Sequence, residues 1–255
     1  MSFPTFRLDN QVAIVTGGAQ GIGRSIALGL ANAGANVAVI DRNPQLLAAV
    51  VRELDGMGRP GLGIVTDVGD AASVQRAVDQ VTQQYGRLDV LVNNAGVRVH
   101  KRVLDHTLED WEHTFRVNCT GVLLFSQSAV RFMRDHGGGS IINISSQMAE
   151  VTHPARVAYC ASKAAVVQMT RVMAVDWAEY GIRVNTVAPG ATKTPFTAAA
   201  LASGVMPVLA DQVPLGRMAE ADEMIGAVVY LASDAASYVT GTLLMVDGGQ
   251  SVRWR

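Results

Sequence analysis

The sequence has little of what several large classes of protein require. Its 255 residues include two cysteines, Cys119 and Cys160, with no C-x-x-C pair, so we predict neither a disulfide scaffold nor a zinc site. A net charge of −1 offers no basic surface for nucleic acid or for an anionic membrane. No run approaches eighteen apolar residues, and the first ten residues lack the pattern of a signal peptide. These absences favour a cytoplasmic protein that acts on a small molecule, with no nucleic-acid, membrane or metal partner.

Apolar residues, in contrast, are abundant, at 49% of the chain against 17% charged residues, which is enough for a large core. No linker or charge run divides the chain, so we predict one domain over residues 1–255. Runs typical of strands alternate with amphipathic helical stretches, from residues 12–15 to residues 243–246. This alternation predicts an α/β fold, a doubly wound parallel sheet of the Rossmann type that binds ligands at the carboxyl ends of its strands. The segment 191–213 is predicted to form a small helical lid.

A glycine-rich turn joins the first predicted strand to the first predicted helix. Gly17, Gly21 and Gly23 follow the spacing G-x3-G-x-G. Glycines let the backbone approach a pyrophosphate closely, and the N-terminus of the following helix favours its negative charge. The same turn could serve only to pack a strand tightly against a helix, so the loop alone leaves both interpretations open.

The second predicted strand ends in Asp41, eighteen residues after Gly23. Its carboxylate can accept hydrogen bonds from the adenosine ribose hydroxyls, and its negative charge would repel a 2′-phosphate. This residue therefore favours NAD over NADP. Arg42 or Arg24 could instead bind the phosphate, which leaves NADP as the alternative.

Tyr159 and Lys163 stand four residues apart at the start of a long apolar-periodic run. On a helix their side chains project from one face, one turn apart. A free phenol has a pKa of about 10 and a nearby cation lowers it, so Lys163 is predicted to make Tyr159 a usable acid/base. Ser146 follows a predicted buried strand, where its hydroxyl could hold a substrate oxygen. The alternative is that Tyr159 and Lys163 form an ordinary surface pair.

Several motifs occur in one order: the glycine loop, residues 93–96 (Asn-Asn-Ala-Gly), Asn118, Ser146, Tyr159-x3-Lys163 and Pro189-Gly190. With them the chain resembles the short-chain dehydrogenase/reductase family over its whole length. The resemblance implies that Tyr159 is the catalytic acid/base, that Lys163 lowers its pKa and holds the nicotinamide ribose, and that Ser146 positions the reacting oxygen. Asn118 would anchor a water that relays protons. The implied cofactor contacts are Gly17, Gln20, Gly21, Ile22, Gly23, Asp41, Arg42, Asp67, Val68, Asn94, Ala95, Gly96, Tyr159, Lys163, Pro189, Gly190, Thr192 and Thr194.

Polar side chains are predicted to surround the reacting carbon. An unpaired buried polar group costs about 1 to 3 kcal/mol, which disfavours steroids and long acyl chains. The two chain ends also resemble those of polyol dehydrogenases of this family, so we expect oxidation of a sugar alcohol or related polyol. The alternatives are reduction of a 3-oxoacyl thioester on an acyl carrier protein and a non-catalytic NAD-binding scaffold. The candidate substrate contacts are Arg98, His100, Ser146, Gln147, Met148, Glu150, His153, Tyr159 and Thr197.

Two predicted helices, at residues 121–133 and 161–177, are apolar over most of their circumference. Such helices need cover on two sides, by the sheet and by a second body. We therefore predict a subunit interface, and the family resemblance implies a homotetramer.

Overall fold

A parallel sheet of seven strands lies at the centre of the computed structural model, which describes residues 4–202 and 212–253. The strand order is β3-β2-β1-β4-β5-β6-β9, and every neighbouring pair is parallel. A second, two-stranded sheet pairs β7 with β8. The predicted doubly wound α/β fold is confirmed. The strands are β1 Val12–Thr16, β2 Asn36–Asp41, β3 Leu62–Val65, β4 Val90–Asn93, β5 Gly139–Ile144, β6 Ile182–Pro189, β7 Thr192–Lys193, β8 Ala219–Glu220 and β9 Leu243–Val246.

Helices connect the strands and cover both faces of the large sheet. Asn43, Asp70 and Thr107 begin three of them by accepting hydrogen bonds from first-turn backbone amides. A five-residue π-turn, Arg116–Thr120, joins α4 to α5 without a break. The α-helices are α1 Gly21–Asn32, α2 Pro44–Gly56, α3 Ala71–Tyr85, α4 Leu108–Phe115, α5 Gly121–Met133, α6 Val157–Asp176, α7 Pro195–Ala202 and α8 Ile225–Ala232.

The central strands are buried on both faces, which explains their continuous apolar runs. In β1 the side chains of Ala13 and Val15 join a core cluster with α1 and α8, whereas Ile14 joins a second cluster with α3 and α5. This alternation follows from the two-residue period of a strand. Two helical layers therefore cover the faces of the sheet, and the ends of its strands remain uncovered and can form a site.

Two predicted segments differ from the structure. The helix predicted at 161–177 begins earlier, at Val157, so it carries Tyr159 in its first turn. The lid predicted at 191–213 contains a short strand and α7, and residues 203–211 lie outside the described residues. In the described parts of the chain, no helix is long and apolar enough to cross a bilayer.

Candidate active site

A cavity of about 380 Å³ opens at the carboxyl ends of the strands, where the strand order reverses between β1 and β4. Ligands of open α/β sheets bind at this switch point. The structure brings to its wall every residue predicted to contact the cofactor, and most of those predicted for the substrate. The predicted residues that line it are Gly17, Gln20, Gly21, Ile22, Gly23, Asp41, Arg42, Asp67, Val68, Asn94, Ala95, Gly96, Arg98, Ser146, Gln147, Met148, Tyr159, Lys163, Pro189, Gly190, Thr192, Thr194 and Thr197.

The glycine loop is shaped by contacts that leave no room for side chains. Gly17 has φ +61°, and a Cβ there would lie 2.8 Å from the Cα of Ala95. A Cβ on Gly23 would lie 2.2 Å from the carbonyl oxygen of Gly17. Asn94 Nδ2 donates to the Thr16 and Gly17 carbonyl oxygens at 3.0 and 2.9 Å, which fastens the loop to the end of β4.

The N-terminus of α1 faces this loop. Gln20 occupies its N-cap position but makes no capping hydrogen bond with its side chain. The first-turn amides, together with the helix dipole, therefore suit a phosphate oxygen. A loop in which Gly17 and Gly23 exclude side chains, with a helix N-terminus behind it, fits the pyrophosphate of a nicotinamide dinucleotide.

Asp41 ends β2 beside the same loop. Its Oδ2 accepts a hydrogen bond from the Ala19 amide at 3.2 Å, and its Oδ1 accepts one from the Asn43 amide at 3.0 Å. These bonds aim the carboxylate at a fixed position in the cavity wall. Each oxygen keeps a second lone pair with which it can accept from a ribose hydroxyl.

The arginines around the adenosine half have different surroundings. Arg24 forms an ion pair with Glu53 and does not line the cavity. Arg116 lines the cavity, and its Nη1 lies 2.8 Å from Asp67 Oδ2. The Arg116 hydrogen bond and that of the Gly69 amide hold the pKa of Asp67 below its usual range, and the charge of Arg42 adds to this effect.

Tyr159, Ser146 and Lys163 meet in the other half of the cavity. Lys163 is buried, and its Nζ donates to the carbonyl oxygen of Ile144 at 2.8 Å, at the end of β5. The same Nζ lies 5.8 Å from the centre of the Tyr159 ring. Ser146, just past β5, forms a hydrogen bond with the Tyr159 phenol. A hydroxyl, a phenol and an ammonium therefore converge on one side of the cavity.

The electrostatics of Tyr159 differ from the sequence prediction. Burial raises the pKa of the phenol, and the hydrogen bond from Ser146 and the charges of Arg98 and Arg156 act to lower it. Lys163, which we predicted as the cation that lowers the pKa of Tyr159, is not among these groups. Burial lowers the pKa of Lys163 itself to about 8, and its ammonium is directed to Ile144.

Asn118 lies behind the cavity and does not line it. It sits in the π-turn, where its Oδ1 accepts from the Val97 amide at 2.8 Å and its Nδ2 donates to the Val97 carbonyl and to Ser162 Oγ. A Cβ on Gly96 would lie 3.4 Å from Asn118 Oδ1 and 3.5 Å from Lys163 Nζ. Asn118 and Lys163 therefore flank one glycine, although the Asn118 carboxamide is already bonded.

Three predicted substrate contacts do not reach the cavity wall. His100 and Glu150 are exposed, and His153 bonds the carbonyl oxygen of its neighbour Pro154. Sequence reasoning also missed a buried arginine, Arg156, three residues before Tyr159 and hence one helical turn away; the i, i+3 spacing was the available signal. The wall residues that were not predicted are Thr66, Val97, His113, Arg116, Val117, Ile144, Ser145, Arg156, Pro195 and Phe196.

The fold and site together define an oxidoreductase that uses a nicotinamide cofactor on alcohol or ketone groups. The chain matches, over residues 17–251, a family model described as enoyl-(acyl carrier protein) reductase. It is 42% identical over 248 residues to D-threitol dehydrogenase of Mycolicibacterium smegmatis, which covers 97% of this chain and 95% of that protein. It is also 38% identical over 243 residues to a 3-oxoacyl-(acyl-carrier-protein) reductase of Thermotoga maritima, covering 95% and 98%.

Solved structures agree with this result. A short-chain type dehydrogenase/reductase from Mycobacterium marinum shares 39% identity at a TM-score of 0.93, covering 97% of this chain and 98% of that one. A gluconate 5-dehydrogenase from Burkholderia cenocepacia J2315, in complex with NADP and tartrate, shares 38% at a TM-score of 0.93, with 98% of each chain covered. The chain belongs to the short-chain dehydrogenase/reductase family.

Proposed function

We propose that the protein oxidises a secondary hydroxyl of a polyol or sugar-type substrate, with NAD as the cofactor. The observation that carries this proposal is the convergence of Tyr159, Ser146 and Lys163 beside a glycine loop in which Gly17 and Gly23 leave no room for a side chain. The similarity to D-threitol dehydrogenase supports a polyol substrate. The polar cavity wall, with Gln147 and Arg98 in the substrate half, supports the same class.

The cofactor would lie along the cavity, with its pyrophosphate on the glycine loop and its adenosine ribose on Asp41. A bound nicotinamide would supply the acceptor for a hydride from the carbinol carbon. Ser146 would hold the substrate oxygen, and Tyr159 would take its proton. Because burial raises the pKa of this phenol, proton acceptance depends on the Ser146 hydrogen bond and on the charges of Arg98 and Arg156.

The proposal is tested by replacing the phenol alone. Tyr159→Phe should bind NADH as tightly as the parent and lose at least ~100-fold in turnover, because it removes one proton acceptor and no volume in the cofactor site. Turnover is followed as NADH appearance with a panel of polyols. Tyr238→Phe, at a fully exposed tyrosine, is the matched control and should match the parent. Unchanged turnover in Tyr159→Phe would refute the proposed role of Tyr159 as the proton acceptor.

The preference for NAD over NADP rests on the carboxylate of Asp41. Asp41→Asn keeps an oxygen for the Ala19 amide and removes the charge that would repel a 2′-phosphate. We expect the ratio of kcat/KM with NAD to kcat/KM with NADP to fall about 100-fold, or ~2.7 kcal/mol. Asp79→Asn removes an exposed carboxylate of α3 and should leave the ratio unchanged. A parent enzyme faster with NADP would mean that Arg42 dominates.

A second candidate activity is reduction of 3-oxoacyl thioesters, which the similarity to the Thermotoga maritima reductase favours. A third is a non-catalytic NAD-binding scaffold, although a scaffold has no need of a tyrosine beside a buried lysine. The same assay separates them when NADH or NADPH consumption with acetoacetyl thioester is added to the panel. Activity confined to the thioester would replace the polyol proposal, and no activity on any substrate would favour the scaffold.

We also propose that the active form is a homotetramer. Apolar side chains of the two helices predicted to form the interface are exposed on the single chain, including Leu123 of α5 and Val172 and Val175 of α6. Exposed apolar surface on helices that also cover the sheet is what a subunit interface would bury. Burying it against further copies would give α6 the second covering layer that its sequence predicts.

A further inference from the structure

Arg156 is buried and incompletely paired. Its side chain is 2% exposed and lines the substrate half of the cavity. Its Nε and Nη2 find no hydrogen-bond partner among the described residues. Burial lowers the pKa of this guanidinium, Arg98 lowers it further, and the opposing groups are the Tyr159 phenol and the Cys160 thiol. No carboxylate of the described residues acts on it, so among them a buried cation faces the cavity without a counter-charge.

The backbone fixes the position of Arg156. Ala155, the residue before it, has φ +62°, a left-handed conformation that is unfavourable for alanine. The Ala155 carbonyl oxygen accepts a hydrogen bond from the Lys101 amide at 3.1 Å, which ties this turn to the segment that follows β4. The first turn of α6 follows at once. The arginine is therefore held at a fixed place one helical turn before Tyr159.

The substrate half of the cavity is also electropositive. Arg98 lines it, with its guanidinium 4.4 Å from the Phe196 ring centre and 6.0 Å from that of Tyr159. Burial lowers the pKa of nearby His100, and the charges of Arg156 and Arg98 lower it further. Among the described residues that line the cavity, only Asp41 and Asp67 are acidic, and both lie in the adenosine half. Of the described wall residues, none at the reacting end is therefore acidic.

A second unpaired polar atom lies in the same wall. Gln147 is 3% exposed, and its Nε2 donates to Gln250 Oε1 at 2.8 Å. Its Oε1 has no partner among the described residues. A buried amide oxygen that lines a cavity is suited to accept from a ligand hydroxyl. The wall thus offers donors for an anion and an acceptor for a hydroxyl.

We propose that the substrate is a hydroxy acid of the sugar-acid type, whose carboxylate binds the Nε and Nη2 edge of Arg156 while a hydroxyl group donates to Gln147 Oε1. This inference rests on the proposed alcohol oxidation and narrows its substrate class. Two N–H groups along one edge of a guanidinium match the two oxygens of a carboxylate. A neutral polyol would leave the arginine unpaired, and sites built for a polar partner discriminate strongly against analogues that lack it.

The first experiment compares substrates with one carbon skeleton. Aldonates of four to six carbons are assayed with the parent enzyme beside the aldonamides and alditols of the same configuration. We expect kcat/KM to be at least ~100-fold higher for an aldonate than for its amide. Sugar phosphates are assayed as well, and a preference for them over aldonates would refute the proposal that Arg156 binds a carboxylate. No oxidation of any alcohol would instead defeat the proposed function itself.

The second experiment removes the cation. Arg156 also acts on the pKa of Tyr159, so its replacement can change the turnover of every substrate. The readout is therefore the ratio of kcat/KM for an aldonate to kcat/KM for the matching alditol. Arg156→Met should lower this ratio at least ~30-fold, and Arg156→Lys should lower it less. Arg52→Met, at an exposed arginine of α2, is the matched control. A ratio that Arg156→Met leaves unchanged would show that the arginine is satisfied by water and would overturn the proposal.

A binding measurement tests the carboxylate site independently of turnover, which a variant could lose for reasons unrelated to that site. In the Tyr159→Phe background with NADH bound, aldonate binding is followed by the fluorescence of NADH. Adding Arg156→Met should weaken aldonate binding at least ~30-fold and leave alditol binding within ~3-fold. Equal weakening of both ligands would assign Arg156 a structural role and refute the carboxylate site.

Discussion

At the scale of the residue, burial decides the chemistry of this site more than spacing does. The sequence identified Tyr159 and Lys163 as a pair because four residues separate them on a helix. It could not show that burial would raise the pKa of the phenol and lower that of the amine, because burial depends on which distant segments cover them. The sequence also did not indicate Arg156 as a site residue, because arginine is ordinarily exposed and its burial here depends on the fold.

Lys163 makes stability depend on pH. Burial lowers its pKa to about 8 from 10.5, so between these values the unfolded state binds more protons than the folded state, and the free energy of unfolding rises with pH. The free energy of unfolding of the parent, relative to that of Lys163→Met, should rise by about 3 kcal/mol between about pH 7 and about pH 10.5. Urea titrations of both proteins at several pH values measure it. A difference independent of pH would contradict the burial of a charged lysine.

At the scale of the element, the periodicity predicted most strands and helices of the sheet to within a few residues. The repeats of β-branched residues and the amphipathic stretches are local signals, which sequence carries. The π-turn at Arg116–Thr120 was not predicted, because a turn of this kind has no periodic pattern and is fixed by the packing of α4 and α5 on different partners. The placement of His100 and His153 away from the cavity is also set by loop geometry.

The close fit of the glycine loop gives a test at this scale. Gly23→Ala places a Cβ 2.2 Å from the Gly17 carbonyl oxygen and 2.4 Å from Asn94 Nδ2, so it should destabilise the fold by ~1 to 3 kcal/mol and weaken NADH binding. Gly226→Ala is the same change near the start of α8, where a Cβ meets nothing within 4 Å, and it should stabilise by ~0.5 to 1 kcal/mol. Thermal unfolding and NADH fluorescence follow both. Normal NADH binding by Gly23→Ala would contradict the proposed cradle.

At the scale of the whole molecule, the order of the strands gathers distant residues into one site. Asp41 from β2, Asn94 after β4 and Ser146 after β5 meet because parallel strands end at one edge of the sheet. The sequence predicted this meeting from the alternation of strands and helices. The sequence alone does not show which outer surface is covered in an assembly. On the single chain, Val172 and Val175 of α6 are 51% and 78% exposed.

The oligomeric state in solution tests whether this surface of α6 is a subunit interface. We expect light scattering at micromolar concentration to give about four times the 27.0 kDa of one chain, because burying apolar area stabilises the assembly by ~25 cal/mol per Å². Val172→Arg places a charge in the proposed interface and should shift the distribution to smaller species. Met57→Arg, at an exposed methionine just after the end of α2, is the control and should leave the distribution unchanged. A parent protein found only as a monomer would refute the interface.

The π-turn between α4 and α5 has a consequence for how this segment tolerates change. It holds one residue more than an α-helical turn, and one residue corresponds to about 100° of rotation. The two helices are therefore out of phase along one continuous rod, which lets α4 pack against α6 while α5 packs against α3. Deleting a single residue within 116–120 would restore the phase and turn one of those faces to solvent. A change of length in this stretch would therefore disrupt the packing of a whole helix face.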